Sequence, residues 1–277
     1  MKQDTIAFSV ITSVYKNDTP EFVRMALDSI TKEQTVKPAE VVLVVDGPVP
    51  EALAAVIKEY ERDTVFHVIW LQENKGLGNA LRLGTEMATN GLVARMDSDD
   101  IALPDRFEKQ LAYMGAHPEC DIVGGQMTEF IGELTNIVGR REVPLANEEI
   151  YDYMKSRCAL NHVTVMFRKE AVLKAGNYQD WFWNEDYYLW VRMMMNKCVF
   201  ANIPDVAVNV RSGADQYARR GGKKYFNSEI GIKKLMLKEG MITRKEYVIN
   251  YIERFVLQLM LPNSVRGWVF RTFARKK

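Results

Sequence analysis

Leu92-Val93-Ala94-Arg95-Met96-Asp97-Ser98-Asp99-Asp100 decides the reading of this chain. An apolar, strand-like run ends in three carboxylates within four residues. Asp is a poor strand former, and like charges this close repel. A cluster of this kind is tolerable where a cation or a set of N–H donors neutralises it. The carboxyl ends of strands are also where open α/β sheets bind their ligands. The plain alternative is a solvated turn, with Ser98 or Asp100 capping the segment that follows. The run alone leaves both readings open.

The surrounding pattern supplies the fold. Upstream, Ile6–Val14, Val41–Val45 and Val65–Leu71 read as buried strands. They alternate with helices carrying Phe22, Val23, Ala26, Leu27 and Ile30, then Leu53, Val56, Ile57 and Tyr60, then Leu77–Thr89. Leu92–Met96 is the fourth strand, and Pro104 opens a helix with Phe107, Leu111 and Met114. Strand–helix alternation of this kind implies a parallel sheet covered on both faces. The second half is less regular. Asp121–Phe130 and Val163–Arg168 read as strands. Glu148–Ser156, Lys169–Ala175 and Glu185–Asn196 read as helices, and after Arg211 the chain reads as helical and basic.

The 277 residues carry a formal net charge of +1, so no global nucleic-acid signature is present. The distribution is uneven. Residues 211–277 hold 16 Lys and Arg against 5 Asp and Glu, whereas residues 1–210 hold 21 against 31. The expected division is therefore a body over 1–210 and a basic helical extension over 211–277, the latter suited to an anionic partner. The three cysteines, Cys120, Cys158 and Cys198, have no zinc spacing and read as buried free thiols. No signal peptide or membrane-spanning run is visible, and a cytosolic protein is expected.

Several further groups are candidates for chemistry. Asp46 ends the second strand, so it and Asp97/Asp99 line one edge of a parallel sheet and suit a hard divalent cation, Mg²⁺ or Mn²⁺. Trp183-Asn184-Glu185-Asp186 precedes an amphipathic helix. Asn184 there is a good N-cap and the acids complement the helix dipole. The same acids are flanked by Trp181, Phe182, Trp183, Tyr187 and Tyr188, aromatic faces of the sort that stack on sugars, in an apolar setting that raises a carboxylate's pKa toward general-base work. Gly76-Leu77-Gly78 lacks the third glycine of a dinucleotide fingerprint and follows the third strand, so it reads as a loop into a helix N-terminus, with Lys75 beside a phosphate. Arg219-Arg220-Gly221-Gly222-Lys223-Lys224 reads as a surface loop or as a clamp on a diphosphate. His67 and His117 read as structural, and His162 is left open. Ser264–Lys277 places Val265, Trp268, Val269, Thr272 and Phe273 on one face beside five Lys and Arg, the pattern of an interfacial membrane helix.

Taken together these residues resemble the inverting glycosyltransferases of family 2, which have the GT-A fold: a Rossmann-like, mostly parallel central sheet flanked by helices. The resemblance is carried, in order, by Phe8-Ser9-Val10-Ile11-Thr12-Ser13-Val14-Tyr15, Val44-Val45-Asp46-Gly47, Asn74-Lys75-Gly76-Leu77, Ala94–Asp100 with Pro104-Asp105-Arg106, Asn161–Met166, and Glu185-Asp186 with Leu189-Trp190. It implies that Ser13 and Tyr15 line a nucleotide pocket and that Asp46 accepts from uracil N3–H. It implies further that Asp97 meets ribose or metal, that Asp99 ligates Mn²⁺ or Mg²⁺, and that Asp186 is the general base. Two departures stand out. A single acid, Asp46, occupies the place where many relatives have two, and Ser212-Gly213 follow Arg211 where many have a histidine. Glu185, His162, Trp183, Arg211, Arg219 and Arg220 are then candidate donor or acceptor contacts. The implied reaction moves a hexose or N-acetylhexosamine from a UDP-sugar to a saccharide acceptor on a lipid diphosphate, at the inner face of the cytoplasmic membrane. Competing readings are a nucleotidyltransferase, disfavoured because no glycine-rich loop follows the first strand, and a non-catalytic nucleotide-sugar module.

Overall fold

The computed structural model describes residues 6–213 and 221–262. In chain order the first half is β1 (Phe8–Val14), α1 (Pro20–Ser29), β2 (Glu40–Val45), α2 (Glu51–Tyr60), β3 (Phe66–Trp70), α3 (Leu77–Met87), β4 (Leu92–Arg95), β5 (Ile101–Ala102) and α4 (Arg106–Ala116). The second half is β6 (Ile122–Phe130), β7 (Ile137–Arg141), α5 (Asn147–Met154), β8 (Met166–Arg168), α6 (Lys169–Lys174), α7 (Glu185–Met195), β9 (Phe200–Arg211), α8 (Lys223–Lys238) and α9 (Arg244–Phe255), the last running into a π-helical turn over Val256–Met260.

These strands form one sheet in the order β3-β2-β1-β4-β8-β6-β9-β5, with β7 added to β6. The β1–β4 block is parallel throughout, as the alternation requires. Beyond β4 the sheet becomes mixed: β8 runs antiparallel to β4 and β6, whereas β6 and β9 are parallel. Strand alternation sends Val41, Leu43 and Val45 into one apolar layer, with α1, α2 and α4, and Val42 and Val44 into the other, with α3, α5, α7 and α8. Both layers are built of buried apolar side chains, and the sheet packed between them positions the strand ends.

Three strands are absent from the sequence expectation: β5, β7 and β9. The expected strand Val163–Arg168 also divides. Residues His162–Thr164 form a single 3-10 turn, and only Met166–Arg168 pairs. Thr164 explains the break: its hydroxyl donates to the Asn161 carbonyl at 2.7 Å and accepts from Gly125 N–H at 2.9 Å, a local side-chain bond that competes with the ladder.

The segment after β9 is joined to the body by polar contacts. Trp181 Nε1 donates to Ser228 O at 2.9 Å, Asn184 Nδ2 to Ser228 Oγ at 3.1 Å, and Lys233 Nζ to Lys155 O at 2.9 Å. Ile232 and Met236 enter the second apolar layer. Asn184 therefore occupies the N-cap position of α7, as expected, but its side chain turns toward α8 and makes no cap hydrogen bond. Among the described residues no helix is long and apolar enough to cross a membrane. The three cysteines are free.

Candidate active site

The acidic run leaves the carboxyl end of β4 and is fastened on three sides. Beneath it lies Arg95, 1% exposed, whose Nη2 pairs with Asp97 Oδ1. The remaining Arg95 donors, Nε and Nη1, meet no hydrogen-bond partner among the described residues. A second buried guanidinium, Arg106, donates to the Arg95 carbonyl at 2.7 Å and to Met96 Sδ at 3.2 Å. Burial, followed by the charge of Arg95, lowers the Arg106 pKa to about 9. From the other side Arg211 closes the run: its backbone N–H donates to Asp100 Oδ1 at 2.8 Å and its Nε to the Asp99 carbonyl at 3.1 Å. The Arg211 guanidinium sits over Phe22 at 3.7 Å and Phe130 at 4.7 Å. Asp100 is thus a buried tie between β4 and β9, with its pKa pushed well up by burial and then by Asp97 and Asp99. It caps nothing.

The third side is Asp18, which the sequence reading overlooked. Its Oδ2 accepts from Ser98 Oγ at 2.9 Å and from Tyr15 N–H at 3.0 Å. This ties the loop after β1, which carries the exposed Tyr15 and follows Ser13 at the end of the strand, to the acidic run. Burial is the largest influence on Asp18, and its pKa rises to about 6. Asp99, although exposed at the surface, rises to about 6 as well, first because the protein crowded around its carboxyl disfavours the charged form and then through the charges of Asp97 and Asp18. Signal for Asp18 existed in the sequence only as one acid in a loop after a strand, with nothing to mark its partner 80 residues away.

Asp46 is 4% exposed and its carboxylate clasps the loop before α3. Lys75 N–H donates to Oδ1 at 2.7 Å, Gly76 N–H to Oδ2 at 2.9 Å, and Asn74 Nδ2 to Oδ2 at 2.9 Å. These bonds make Asp46 the anchor of the loop before α3 and leave Oδ1, which accepts from Lys75 N–H, with further acceptor capacity. Gly47 makes this possible. It has φ +89°, and a Cβ there would lie 2.5 Å from Asn74 N. The Lys75 side chain points to the surface, 3.9 Å from Glu73.

Across the crevice, α7 presents Glu185 and Asp186 at its first turn. Burial, then the charge of Asp186, lifts Glu185 to about 7, with Arg95 and Asp97 acting on it from β4. The two acid clusters therefore face one electrostatic volume. Asp186 Oδ1 accepts its neighbour Tyr187 N–H at 2.6 Å. His162 Nε2 lies 3.0 Å from the buried Tyr178 hydroxyl. Burial and Arg95 hold the imidazole pKa well below its usual value, so it is neutral.

The aromatic group divides. Trp181 stacks on Tyr188 at 4.0 Å, and a Cβ on Gly231 would lie 2.8 Å from the Trp181 ring, so α8 closes over it. Tyr187 is buried. Phe182 and Trp183 alone remain open, and Trp183 is held at φ +58° immediately before the acids. A bulky residue in the left-handed region costs roughly 1–3 kcal/mol and often marks a functional position. Arg219 and Arg220, the proposed clamp, and the expected helix Ser264–Lys277 lie outside the described residues.

Among the described residues no three His, Cys, Asp or Glu side chains converge to hold a metal ion unaided. One or two carboxylates at Asp99 and Asp97, crowded by Asp18, do fit Mg²⁺ or Mn²⁺, which usually take their other ligands from substrate phosphates and water.

Comparison with known proteins shows the family and the fold. The profile of glycosyl transferase family 2 matches residues 9–182. The amylovoran biosynthesis glycosyltransferase AmsE of Erwinia amylovora is 41% identical over 230 residues, covering 83% of this chain and 85% of its own. The UDP-Gal:alpha-D-GlcNAc-diphosphoundecaprenol beta-1,3-galactosyltransferase of Escherichia coli is 36% identical over 276 residues, covering 100% of this chain and 99% of its own. The solved structure of S. aureus TarS 1–349 in complex with UDP-GlcNAc superposes with a TM-score of 0.67 at 18% identity, over 91% of this chain and 73% of that one. That last likeness shows the fold.

Proposed function

The chain belongs to glycosyl transferase family 2, and from that premise we propose that it transfers a hexose or N-acetylhexosamine, with inversion, from a UDP-sugar to a saccharide hydroxyl carried on a lipid diphosphate. The product is a β-glycoside in the assembly of a bacterial surface polysaccharide. The observation that carries this reading is the acidic run at the carboxyl end of β4, fastened by Arg95, Asp18 and Arg211, with the acids of the first turn of α7 within electrostatic reach of it. The full-length similarity to a galactosyltransferase named for a UDP-Gal donor and a diphosphoundecaprenol acceptor supports the two substrate classes.

In this reading Ser13 at the end of β1, Tyr15 in the loop after it, and the loop clasped by Asp46, with Lys75, border the nucleotide. Asp186 takes the proton from the acceptor hydroxyl as that oxygen attacks the anomeric carbon from the face opposite the diphosphate. The bond from that carbon to the phosphate oxygen breaks, and UDP leaves with the electron pair. Positive charge develops on the sugar as in glycoside hydrolysis. A divalent cation at Asp99, with Asp97 beside it, would neutralise the charge that builds on the departing diphosphate. Glu185 and neutral His162 border the base, and Trp183 and Phe182 offer faces for a sugar ring. Arg211 holds the acidic run in place; Arg219 and Arg220 are assigned to the diphosphate or the acceptor. The enzyme works in the cytoplasm as a peripheral protein on the inner face of the membrane, on donor and lipid-linked acceptor, without nucleic acid.

The test is a screen of UDP-glucose, UDP-galactose and their N-acetyl forms with Mn²⁺ or Mg²⁺ and a lipid-diphosphate-linked sugar. One donor should release UDP only with metal and acceptor present, and the new anomeric proton should show β coupling. Release from none of them, or an α-linked product, contradicts the proposal.

A further inference from the structure

The helix α9 and the π-helical turn after it are built inside out. Asn250, Arg254 and Gln258, spaced by four, face the protein and are at most 5% exposed. Arg254 pairs with Glu229 and donates to Ser156 O at 2.6 Å, Gln258 donates to Glu229, and Asn250 donates to Lys155 O at 3.3 Å. The outward arc carries Val248, Ile252, Phe255, Val256, Leu259 and Met260, exposed by 52%, 57%, 40%, 39%, 38% and 63% respectively. A helix of a water-soluble surface shows the reverse pattern, with its apolar stripe toward the core. Scattered exposed apolar residues are ordinary, but a continuous stripe of this kind marks a contact surface.

We infer that this outward face of α9 and its π turn docks on the headgroup–acyl boundary of an anionic lipid leaflet. The chain that follows supplies the second observation. Residues 263–277 hold five Arg and Lys and no Asp or Glu, together with Trp268, Phe270 and Phe273. Apolar and aromatic groups next to uncompensated positive charge are the signature of interfacial lipid binding, where hydrophobic burial and attraction to anionic headgroups add. A second copy of this chain fits less well, because it would bring the same uncompensated positive charge against itself. The surface also follows from the rest of the fold: Glu229 on α8 ties the polar face of α9 to the body, leaving the apolar face outermost. The inference deepens the lipid-linked acceptor reading and rests on it for the purpose of docking, but not for the docking itself.

The experiment is flotation of the full chain through a density gradient with vesicles of phosphatidylcholine, with and without phosphatidylglycerol, in the absence of any sugar. The outcome is therefore independent of transfer activity. The full chain floats with the phosphatidylglycerol vesicles, and Ile252→Asp with Leu259→Asp lowers its partition about tenfold or more while the melting temperature is unchanged. A second pair, Val248→Asp with Met260→Asp, gives the same loss and guards against misfolding of the first. Two results overturn the inference. One is flotation of both double variants like the unaltered chain. The other is a chain that does not float but sediments as a dimer, which either pair converts to monomer.

Discussion

Glu185 and Asp186 are neighbours in sequence with different surroundings. Burial and the adjacent Asp186 charge raise Glu185 to about 7. Below that pH Glu185 is neutral; above it a second negative charge stands beside Asp186 and makes Asp186 the stronger base. The expected kcat/KM profile therefore has a step near pH 7, rising with pH. Glu185→Gln keeps the neighbour neutral and removes that step; a step that persists would show that Glu185 does not act on the base. Asp46 belongs at the same scale. Its carboxylate accepts two backbone N–H groups and an amide, so Asp46→Ala should cost on the order of 3 kcal/mol, read as a lower melting temperature together with a raised KM for donor. The acidic groups themselves were legible in the sequence because clustered carboxylates announce themselves. Their fasteners were not. Asp18 meets Ser98, and Arg211 meets Asp99 and Asp100, through contacts spanning 80 residues or more, and no local pattern encodes such pairs.

At the scale of elements, the parallel half was readable from periodicity, whereas β9 was not. The sequence Phe-Ala-Asn-Ile-Pro-Asp-Val-Ala-Val-Asn-Val-Arg has Pro204 at its centre, which argues against a strand. The structure resolves this with a bulge: Gly124 pairs with Asn202 and Gln126 with Val206, so the segment holding Pro204 stands out of register. β9 then delivers Arg211 to the acidic run, so Arg211→Ala should raise the KM for donor several-fold through a loosened β4–β9 junction, with a smaller effect on kcat. Parallel effects on both constants would place Arg211 elsewhere. The seam between α7 and α8 gives a stability prediction. Lys233 is fully buried, and that burial lowers its pKa from 10.5 to about 7. Between those values the unfolded chain binds the extra proton, so stability rises as pH increases from about 7 to 10.5 and does not change below about 7 on this account. Lys233→Met should flatten that slope in melting temperatures recorded across the range; an unchanged slope would assign it to other groups.

The whole molecule joins two halves that the sequence showed in unequal detail. Residues up to Asp100 bring the acidic run and the loops after β1 and β3 to the carboxyl edge of a parallel sheet, and their order, together with Asn161–Met166 and Glu185-Asp186 further on, carried the resemblance to the family. The later half supplies α7 and the fastening strand β9, and it turns an apolar helix face outward. A nucleotidyltransferase reading fails because the chain belongs to glycosyl transferase family 2. The central proposal assigns donor binding to the first half and proton removal to Asp186 in the second, so one substitution should separate them. The decisive measurement is turnover of Asp186→Asn beside its metal-dependent affinity for the UDP-sugar. The account predicts a fall in turnover of about 10²–10⁴-fold with donor affinity nearly intact. Near-normal turnover in that variant would contradict it.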